Sequence, residues 1–223
     1  MLSMKKLGFI LLLSLFSLGV YSQGVRMGVV ASPQVSWLKS DVGSVKSDGS
    51  VMGFNFGLMS DFFFAERYSI STGLYINNTG GNLQYDSTGI QTSDGNINLP
   101  LESSIRYHLQ YIEVPLVFHL ESNKIGYFVY HAQFGLTNQI RIGATGDINS
   151  LDDTKDVDGV GIKEEIGLFN VGYNIGGGVN YYFSKNTALS LSLIYTNGFI
   201  DLTKESDDNV SLRSVALRIG IIF

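Results

Sequence analysis

The sequence predicts an all-β fold, an eight-stranded antiparallel up-and-down transmembrane β-barrel that follows a cleaved signal peptide. Three observations lead there: an export signal at the front, eight segments joined by alternately short and long connections, and a last segment that alternates every second residue and ends on Phe223. Lipid cannot hydrogen-bond a strand edge, so spanning strands must close into a barrel. The pattern favours the outer membrane of a Gram-negative bacterium.

The first residues have the layout of a secretory signal peptide. Lys5 and Lys6 precede an apolar run from Leu7 to Val20, and Ser22 offers a small residue for cleavage. We therefore expect residues 1–22 to be the signal peptide and 23–223 the barrel domain. The run is shorter than the roughly 20 residues of a spanning helix. The chain has no cysteine, which excludes an acylated lipoprotein start, disulfides, thiol catalysis and thiolate metal sites.

Composition narrows the class further. Only 16% of residues are charged, which is low for a soluble domain, and the net charge is −5. No basic stripe is present, so the sequence argues against nucleic-acid binding. A mature chain of this length suits one domain.

Eight segments alternate between apolar and small or polar residues, at roughly 24–37, 51–64, 68–78, 105–120, 126–142, 164–183, 187–199 and 210–223. Short turns join the second to the third, the fourth to the fifth and the sixth to the seventh. The other connections, 38–50, 79–104, 143–163 and 200–209, are longer and polar. This alternation predicts short periplasmic turns, long extracellular loops and both termini in the periplasm. The last strand, ending in Phe223, is expected to engage the barrel-assembly machinery.

The two faces of each segment differ in kind. In the seventh segment Leu189, Leu191 and Leu193 alternate with Ser190 and Ser192. A soluble sandwich would bury its apolar face and expose charges, whereas here the opposite face is rich in Gly, Ser and Asn. We therefore expect the apolar face to contact outer-membrane lipid and the other face to line a crowded lumen.

Aromatic residues collect near the short turns, as in the interfacial girdles of membrane barrels. The predicted periplasmic girdle comprises Phe62, Phe63, Phe64, Tyr68, Tyr127, Phe128, Tyr181, Tyr182 and Phe183. Trp37, Tyr107, Tyr195 and Phe199 are predicted to form the outer girdle.

The stretch Tyr111-Ile112-Glu113-Val114-Pro115-Leu116 is similar to the Tyr-Leu-Glu-Ile-Pro-Leu signature of the PorT-like family of Bacteroidetes outer-membrane barrels. Residues 53–58, 71–75 and 174–182 resemble that family's second, third and sixth strands. The resemblance implies an eight-stranded outer-membrane barrel, and it implies no single function, since only a few members serve protein secretion or gliding. The acidic third loop and Pro33 depart from the family pattern.

An eight-stranded barrel has an interior that side chains can fill, which argues against a diffusion pore. Parity along the segments places seven ionisable side chains inward: Arg26, Asp61, Glu113, His119, His131, Arg141 and Arg218. We expect a structural polar network in the lumen, with Glu113 paired to an inward arginine, Arg218 first. The alternative is a proton or ligand path. No cofactor is expected.

The third loop carries Asp147, Asp152, Asp153, Asp156 and Asp158. Residues 154–165 approach a calcium-binding loop, but Thr154 stands where the first aspartate belongs. A solvated acidic loop is the favoured interpretation of residues 147–158, and calcium binding is the alternative.

A lipid-modifying hydrolase would need an outward histidine and serine at the rim. His108 is the remaining histidine for that role, and no serine is clearly paired with it. Loops on a rigid barrel often carry binding, so the outer loops are expected to meet a protein partner. The sequence thus favours a non-enzymatic structural or binding protein, as an accessory of secretion, over a hydrolase or a narrow channel.

Overall fold

The computed structural model describes residues 24–41, 45–85, 89–92, 95–98, 103–149, 157–203 and 209–223. The predicted signal peptide, residues 1–22, lies outside the described residues. The described chain contains twelve strands: β1 (Gly24–Ser40), β2 (Val45–Ser47), β3 (Ser50–Ala65), β4 (Tyr68–Tyr85), β5 (Gly89–Thr92), β6 (Gly95–Asn98), β7 (Ser103–Glu121), β8 (Phe128–Asn149), β9 (Val157–Gly161), β10 (Phe169–Tyr182), β11 (Ala188–Gly198) and β12 (Val210–Ile222). None of these residues forms a helix long and apolar enough to cross a membrane.

Eight long strands close into one antiparallel sheet. Each of β1, β3, β4, β7, β8, β10, β11 and β12 pairs with the next in that order, and β12 pairs with β1 to complete the ring. The predicted eight-stranded up-and-down barrel is confirmed. Short turns join β3 to β4, β7 to β8 and β10 to β11, while the other connections are long, as the sequence predicts.

The register fixes the tilt of the strands. Following paired residues once around the barrel from Gly28 leads through Met59, Thr137 and Leu212 to Leu38, a displacement of ten residues along β1. With the usual spacings within and between strands, this stagger corresponds to a tilt of about 40°. The interior of such a barrel is narrow enough for side chains to fill.

Strand parity separates lipid-facing from interior residues, because successive side chains point to opposite faces. On β12, Leu217, Ile219 and Ile221 are exposed on the outer surface, while Gly220 and Ile222 are buried. The outward apolar run from Val215 to Phe223 is about 20 Å tall at this tilt, which is close to the roughly 25 Å apolar band of a membrane barrel. The exposed outer surface of β12 is therefore apolar, in agreement with the prediction that this face contacts lipid.

Pro33 causes no slip in β1. The register with β12 is the same on both sides of it, at Ala31↔Ile219 and at Gln34↔Ala216. Pro33 is exposed on the outer face, where its missing N–H interrupts the ladder without shifting it.

Strands β4, β7 and β8 continue beyond the apolar band. The outward apolar residues of β8 end at Ile142, yet the strand continues to Asn149. Short strands β2 and β9 add to β4 and β8 at this level. We call β2, β9 and residues 79–85, 103–110 and 143–149 the outer extension. The sequence predicted these residues as loop, except 105–110, which it assigned to the fourth strand.

A β-bulge marks the base of the outer extension. Gln110 pairs with Gly143 and Tyr111 with Arg141, so Ile142 is an extra residue in β8. The extra residue reverses which positions of β8 face inward: Gln139 is buried below the bulge, and Ala144 and Ile148 are buried above it.

The aromatic girdles need three corrections. Phe64, Tyr68, Tyr127, Tyr181 and Phe183 are exposed near the short turns, as predicted. Phe63 and Tyr182 instead lie on the inward faces of their strands, where both contact Arg26. Tyr107 is fully buried inside the barrel, and its hydroxyl lies 2.7 Å from that of Tyr85. The outer girdle is formed on one side by four rings, each in contact with the next, in the order Trp37, Tyr195, Tyr173 and Phe199.

Candidate functional site

The barrel interior is the candidate functional site, because it collects most of the buried polar groups. From the short-turn end outward it contains three layers. We call them the charged cluster around Arg26, the amide belt around Glu113 and the outer apolar core around Tyr107.

The charged cluster is built on Arg26 of β1. One guanidinium nitrogen, Nη2, lies 2.7 Å from Asp61 Oδ2 and 2.6 Å from Glu121 Oε1. Its Nη1 donates to the Tyr182 hydroxyl at 3.1 Å, and the guanidinium stacks over the Phe63 ring. Arg26 and Asp61 are opposite each other on paired strands, so register alone brings them together. The cluster ties four strands near the short-turn mouth.

Two histidines lie next to this cluster. The His119 and His131 rings are 4.9 Å apart, and His119 Nδ1 is 3.8 Å from Asp61 Oδ2. His131 Nε2 lies 2.8 Å from the Ser192 hydroxyl. The neighbouring cavity measures about 10 Å³, room for about one water molecule. No substrate can reach this histidine–serine contact through a space of that size.

The amide belt crosses the lumen and has Glu113 at its centre. Asn77 and Gln139 each donate a side-chain N–H to Glu113 Oε2, at 2.7 and 2.8 Å. Gln34 donates to Asn77, and Asn170 donates to Gln139, at 2.7 and 2.8 Å. The chain joins β1, β4, β7, β8 and β10. It also satisfies a carboxylate that is costly to bury without hydrogen bonds.

The predicted pairing of Glu113 with Arg218 is wrong. Arg218 stacks over the Tyr75 ring at 5.2 Å, and Tyr75 is itself almost fully buried. Neutral amides on the neighbouring strands reach Glu113 directly, because Asn77 and Gln139 face the same level of the lumen. The inward cation that does form ion pairs among the described residues is Arg26.

Above the belt, the interior becomes apolar. Fifteen buried residues form the outer apolar core: Leu38, Val45, Leu83, Tyr85, Ile105, Tyr107, Leu109, Tyr111, Ala144, Ile148, Ile162, Ile166, Leu202, Val210 and Leu212. Ile162, Ile166 and Leu202 come from connections that fold into the mouth of the barrel. These apolar side chains fill the outer end of the lumen within the described part of the chain. A second cavity of about 10 Å³ lies between belt and core.

The predicted lumenal residues lie at different levels of the interior. Arg26, Asp61, His119 and His131 lie in or beside the charged cluster, and Glu113 lies in the belt. Arg218 lies between the two layers, and Arg141 donates from Nε to the Gly167 carbonyl at 3.3 Å. Sequence reasoning missed Glu121 and Tyr182, although their strand parity would have placed both inward. It also missed the amides of the belt, because only ionisable side chains were considered as members of the polar network.

The outer rim holds the third histidine. His108 Nε2 lies 2.9 Å from Asp147 Oδ2 on the outward face of the outer extension. The backbone N–H of Gly159 donates to Asp147 Oδ1, and this bond, followed by the His108 contact, holds the pKa of Asp147 below its usual value. Thr145 is the cross-strand neighbour of His108.

The acidic third loop lies partly within the described residues. Asp152, Asp153, Asp156 and Thr154 lie outside the described residues, whereas Asp158 is exposed and Glu165 is buried. Within the described part of the chain, no three histidine, aspartate or glutamate side chains are placed to hold a metal ion. Calcium binding by residues 147–158 stays a prediction.

Comparison with known proteins gives the family. The family model described as the outer membrane protein beta-barrel domain matches residues 21–152, more than half of the chain. The chain belongs to this family. It is therefore an outer-membrane β-barrel protein.

Solved structures of other outer-membrane barrels are similar in shape. Neisserial surface protein A has 15% identity and a TM-score of 0.49, covering 90% of this chain and 98% of that one. OprG from Pseudomonas aeruginosa has 13% identity and a TM-score of 0.43, with 91% and 97% covered. The outer membrane protease OmpT from Escherichia coli has 5% identity and a TM-score of 0.42, with 91% and 97% covered. Curated protein sequences give no match.

Proposed function

We propose that this protein is a non-enzymatic, non-conducting barrel that serves as a rigid support for its long connections, with a structural or binding role. The observation that carries the proposal is the closed interior. A charged cluster, an amide belt and an apolar core follow one another along the lumen, and each is held by side chains from several strands. A channel would need a continuous wet path, and the described interior cavities are about the size of one water molecule.

The proposal includes an orientation. Short turns and both termini face the periplasm, and the outer extension faces the outside, as in bacterial barrels with short periplasmic turns. On assembly, the C-terminal strand ending in Phe223 engages the barrel-assembly machinery. The PorT-like signature at residues 111–116 supports a place beside a protein-secretion apparatus, with a protein partner at the outer connections.

Conductance of the purified protein in planar lipid bilayers tests the closed interior. We expect no steps in the ionic current at protein concentrations where a sixteen-stranded porin, whose lumen is a water-filled channel, gives stable current steps. Circular dichroism and resistance to denaturation on an unheated gel show that the inserted protein is folded. Reproducible single-channel steps from the folded protein would refute the proposal.

The binding role is tested by cross-linking in native membranes, followed by identification of the captured protein. The matched control is a chain in which the connection 86–102 is replaced by a short Gly-Ser linker, since this connection is a predicted partner site. A single dedicated partner that is lost in the control supports the role. Identical cross-linking patterns for the two chains would argue against binding at this connection.

A second candidate function rests on the His108–Asp147 pair. A histidine oriented by a carboxylate is the arrangement that activates a hydroxyl or water for attack on an ester, and this pair lies on the outward face of the outer extension, above the apolar band. Thr145 is the nearest hydroxyl in the register. Mass spectrometry of lipids incubated with the wild type and with His108→Ala distinguishes the two functions: loss of an acyl chain only with the wild type would favour the hydrolase.

A further inference from the structure

Two cations lie on the outward face where β1 and β12 leave the apolar band. Arg213 is directly opposite Trp37 in the register, and Lys39 is opposite Ser211. Below them on the same two strands are Val35 and Val215, cross-strand neighbours within the apolar band. Their positions put both cations at the boundary between acyl chains and water.

Arg213 has no acidic partner among the described residues. Its neighbour on β11 is the neutral Asn197, and its buried Nε makes no hydrogen bond. Lys39 is exposed and likewise forms no ion pair within the described chain. A half-buried guanidinium without a counter-ion favours an anion supplied from outside the protein, because desolvating an unpaired charge is costly.

Aromatic rings flank these cations. The Trp37 and Tyr195 rings are 6.5 Å apart, and Tyr173 and Phe199 continue the outer girdle beside them. Trp and Tyr rings occupy the headgroup level of a membrane, so they mark the depth at which Arg213 and Lys39 lie. Headgroup phosphates lie at this depth.

We propose that Arg213 and Lys39 form a binding site for the phosphate of an outer-leaflet glycolipid headgroup. A guanidinium matches a phosphate with two parallel hydrogen bonds, and the lysine adds a second positive charge. The acyl chains of the same lipid lie along the apolar strands β1 and β12 below. The choice of the outer leaflet rests on the orientation given in the proposed function.

The opposite wall offers a contrast. There His108 is paired with Asp147, and Arg106 donates to the Asn82 side-chain oxygen at 3.4 Å. Arg106 is outward and exposed, on the same end of the barrel, but it faces an existing acceptor. Arg106→Gln therefore removes the same charge from the same end and serves as the matched control.

Native mass spectrometry of the detergent-purified protein measures lipid binding at Arg213 and Lys39. The probes are diphosphorylated lipid A, its dephosphorylated form and inorganic phosphate. Each cation near a membrane surface contributes roughly a fivefold gain in affinity for an anionic headgroup. We expect Arg213→Gln to weaken lipid A binding about fivefold and Lys39→Gln with Arg213→Gln about 25-fold. Arg106→Gln leaves binding unchanged, and Arg213→Lys retains part of it because the charge remains.

Three outcomes would overturn the site: equal lipid A binding by wild type and the double variant, equal binding of the dephosphorylated lipid, or equal occupancy by inorganic phosphate alone. The orientation is tested separately, since the cysteine-free chain accepts single cysteines. Ser47→Cys in the outer extension should react with an impermeant maleimide on intact cells, and Asn123→Cys in a short turn only after lysis. The reverse pattern would overturn the orientation, and the binding assay does not depend on it.

Discussion

Replacement of Arg26 by leucine is the sharpest test of the charged cluster. The substitution leaves a shorter apolar side chain and removes the guanidinium that contacts Asp61, Glu121 and Tyr182. Asp61 is then a fully buried carboxylate without its cation. The uncompensated charge of Asp61, rather than the loss of the ion pair itself, dominates the expected loss of stability.

The magnitude follows from the burial of the carboxylates. Breaking a buried ion pair by removing one partner costs about 3–5 kcal/mol, because the remaining charge is uncompensated. Asp61 is 0% exposed and Arg26 only 11%, so solvent screening is weak here. We expect Arg26→Leu to lower the free energy of unfolding by that amount. Adding Asp61→Asn to the variant removes the more deeply buried of the two carboxylate charges that lose their cation, and we expect the double variant to be more stable than the single one.

Urea unfolding in lipid vesicles, followed by the fluorescence of the single tryptophan, gives the free energies. Arg67→Leu in the exposed β3–β4 turn is the matched control, and it should change stability by less than about 0.5 kcal/mol. A loss below about 1 kcal/mol for Arg26→Leu would show that the charged cluster does not contain a buried ion pair on which the barrel depends. So would a double variant less stable than the single one.

Three further predictions follow. Glu113→Leu leaves two buried amide donors without their acceptor and should cost about 2–6 kcal/mol, measured by urea unfolding. Gly57→Val should prevent native migration on an unheated gel, because its Cβ would collide with the Leu74 carbonyl. The lowered pKa of Asp147 means that its contact with Gly159 stabilises the fold above the usual 3.8 and is lost as the pH falls through the lower folded value. The protection of the Gly159 amide against hydrogen exchange, relative to its intrinsic rate, should therefore persist at pH 4 and be lost only in stronger acid.

The closed barrel could be predicted from sequence because its two signals are local. Alternation within a strand needs only neighbouring residues, and the lengths of the connections need only counting. Parity also placed Asp61 and Glu113 inside, since a continuous strand keeps its faces. The prediction failed for Tyr107, which lies in the outer extension above the bulge level, where the inside is apolar and not polar. An outward girdle residue and an inward core residue look alike when the height of the membrane is unknown.

The partners of the buried groups could not be predicted, because they depend on register. The ten-residue stagger brings Asn77 and Gln139 to the level of Glu113 and leaves Arg218 over Tyr75. No local pattern encodes that stagger. The short strands β2 and β9 were missed for a related reason: they are stabilised by pairing with β4 and β8 rather than by their own alternation.

Site-directed spin labelling along β12 shows, residue by residue, which face of the barrel meets lipid and whether the inner face meets water. Single cysteines at positions 214–221 of the cysteine-free chain are labelled, and collisions with oxygen, which dissolves in lipid, and with a water-soluble nickel chelate are measured in vesicles. We predict oxygen maxima at Val215, Leu217, Ile219 and Ile221, with little contact to either reagent at the positions between. Nickel maxima at those intermediate positions would show that the lumen is filled with water and not with side chains.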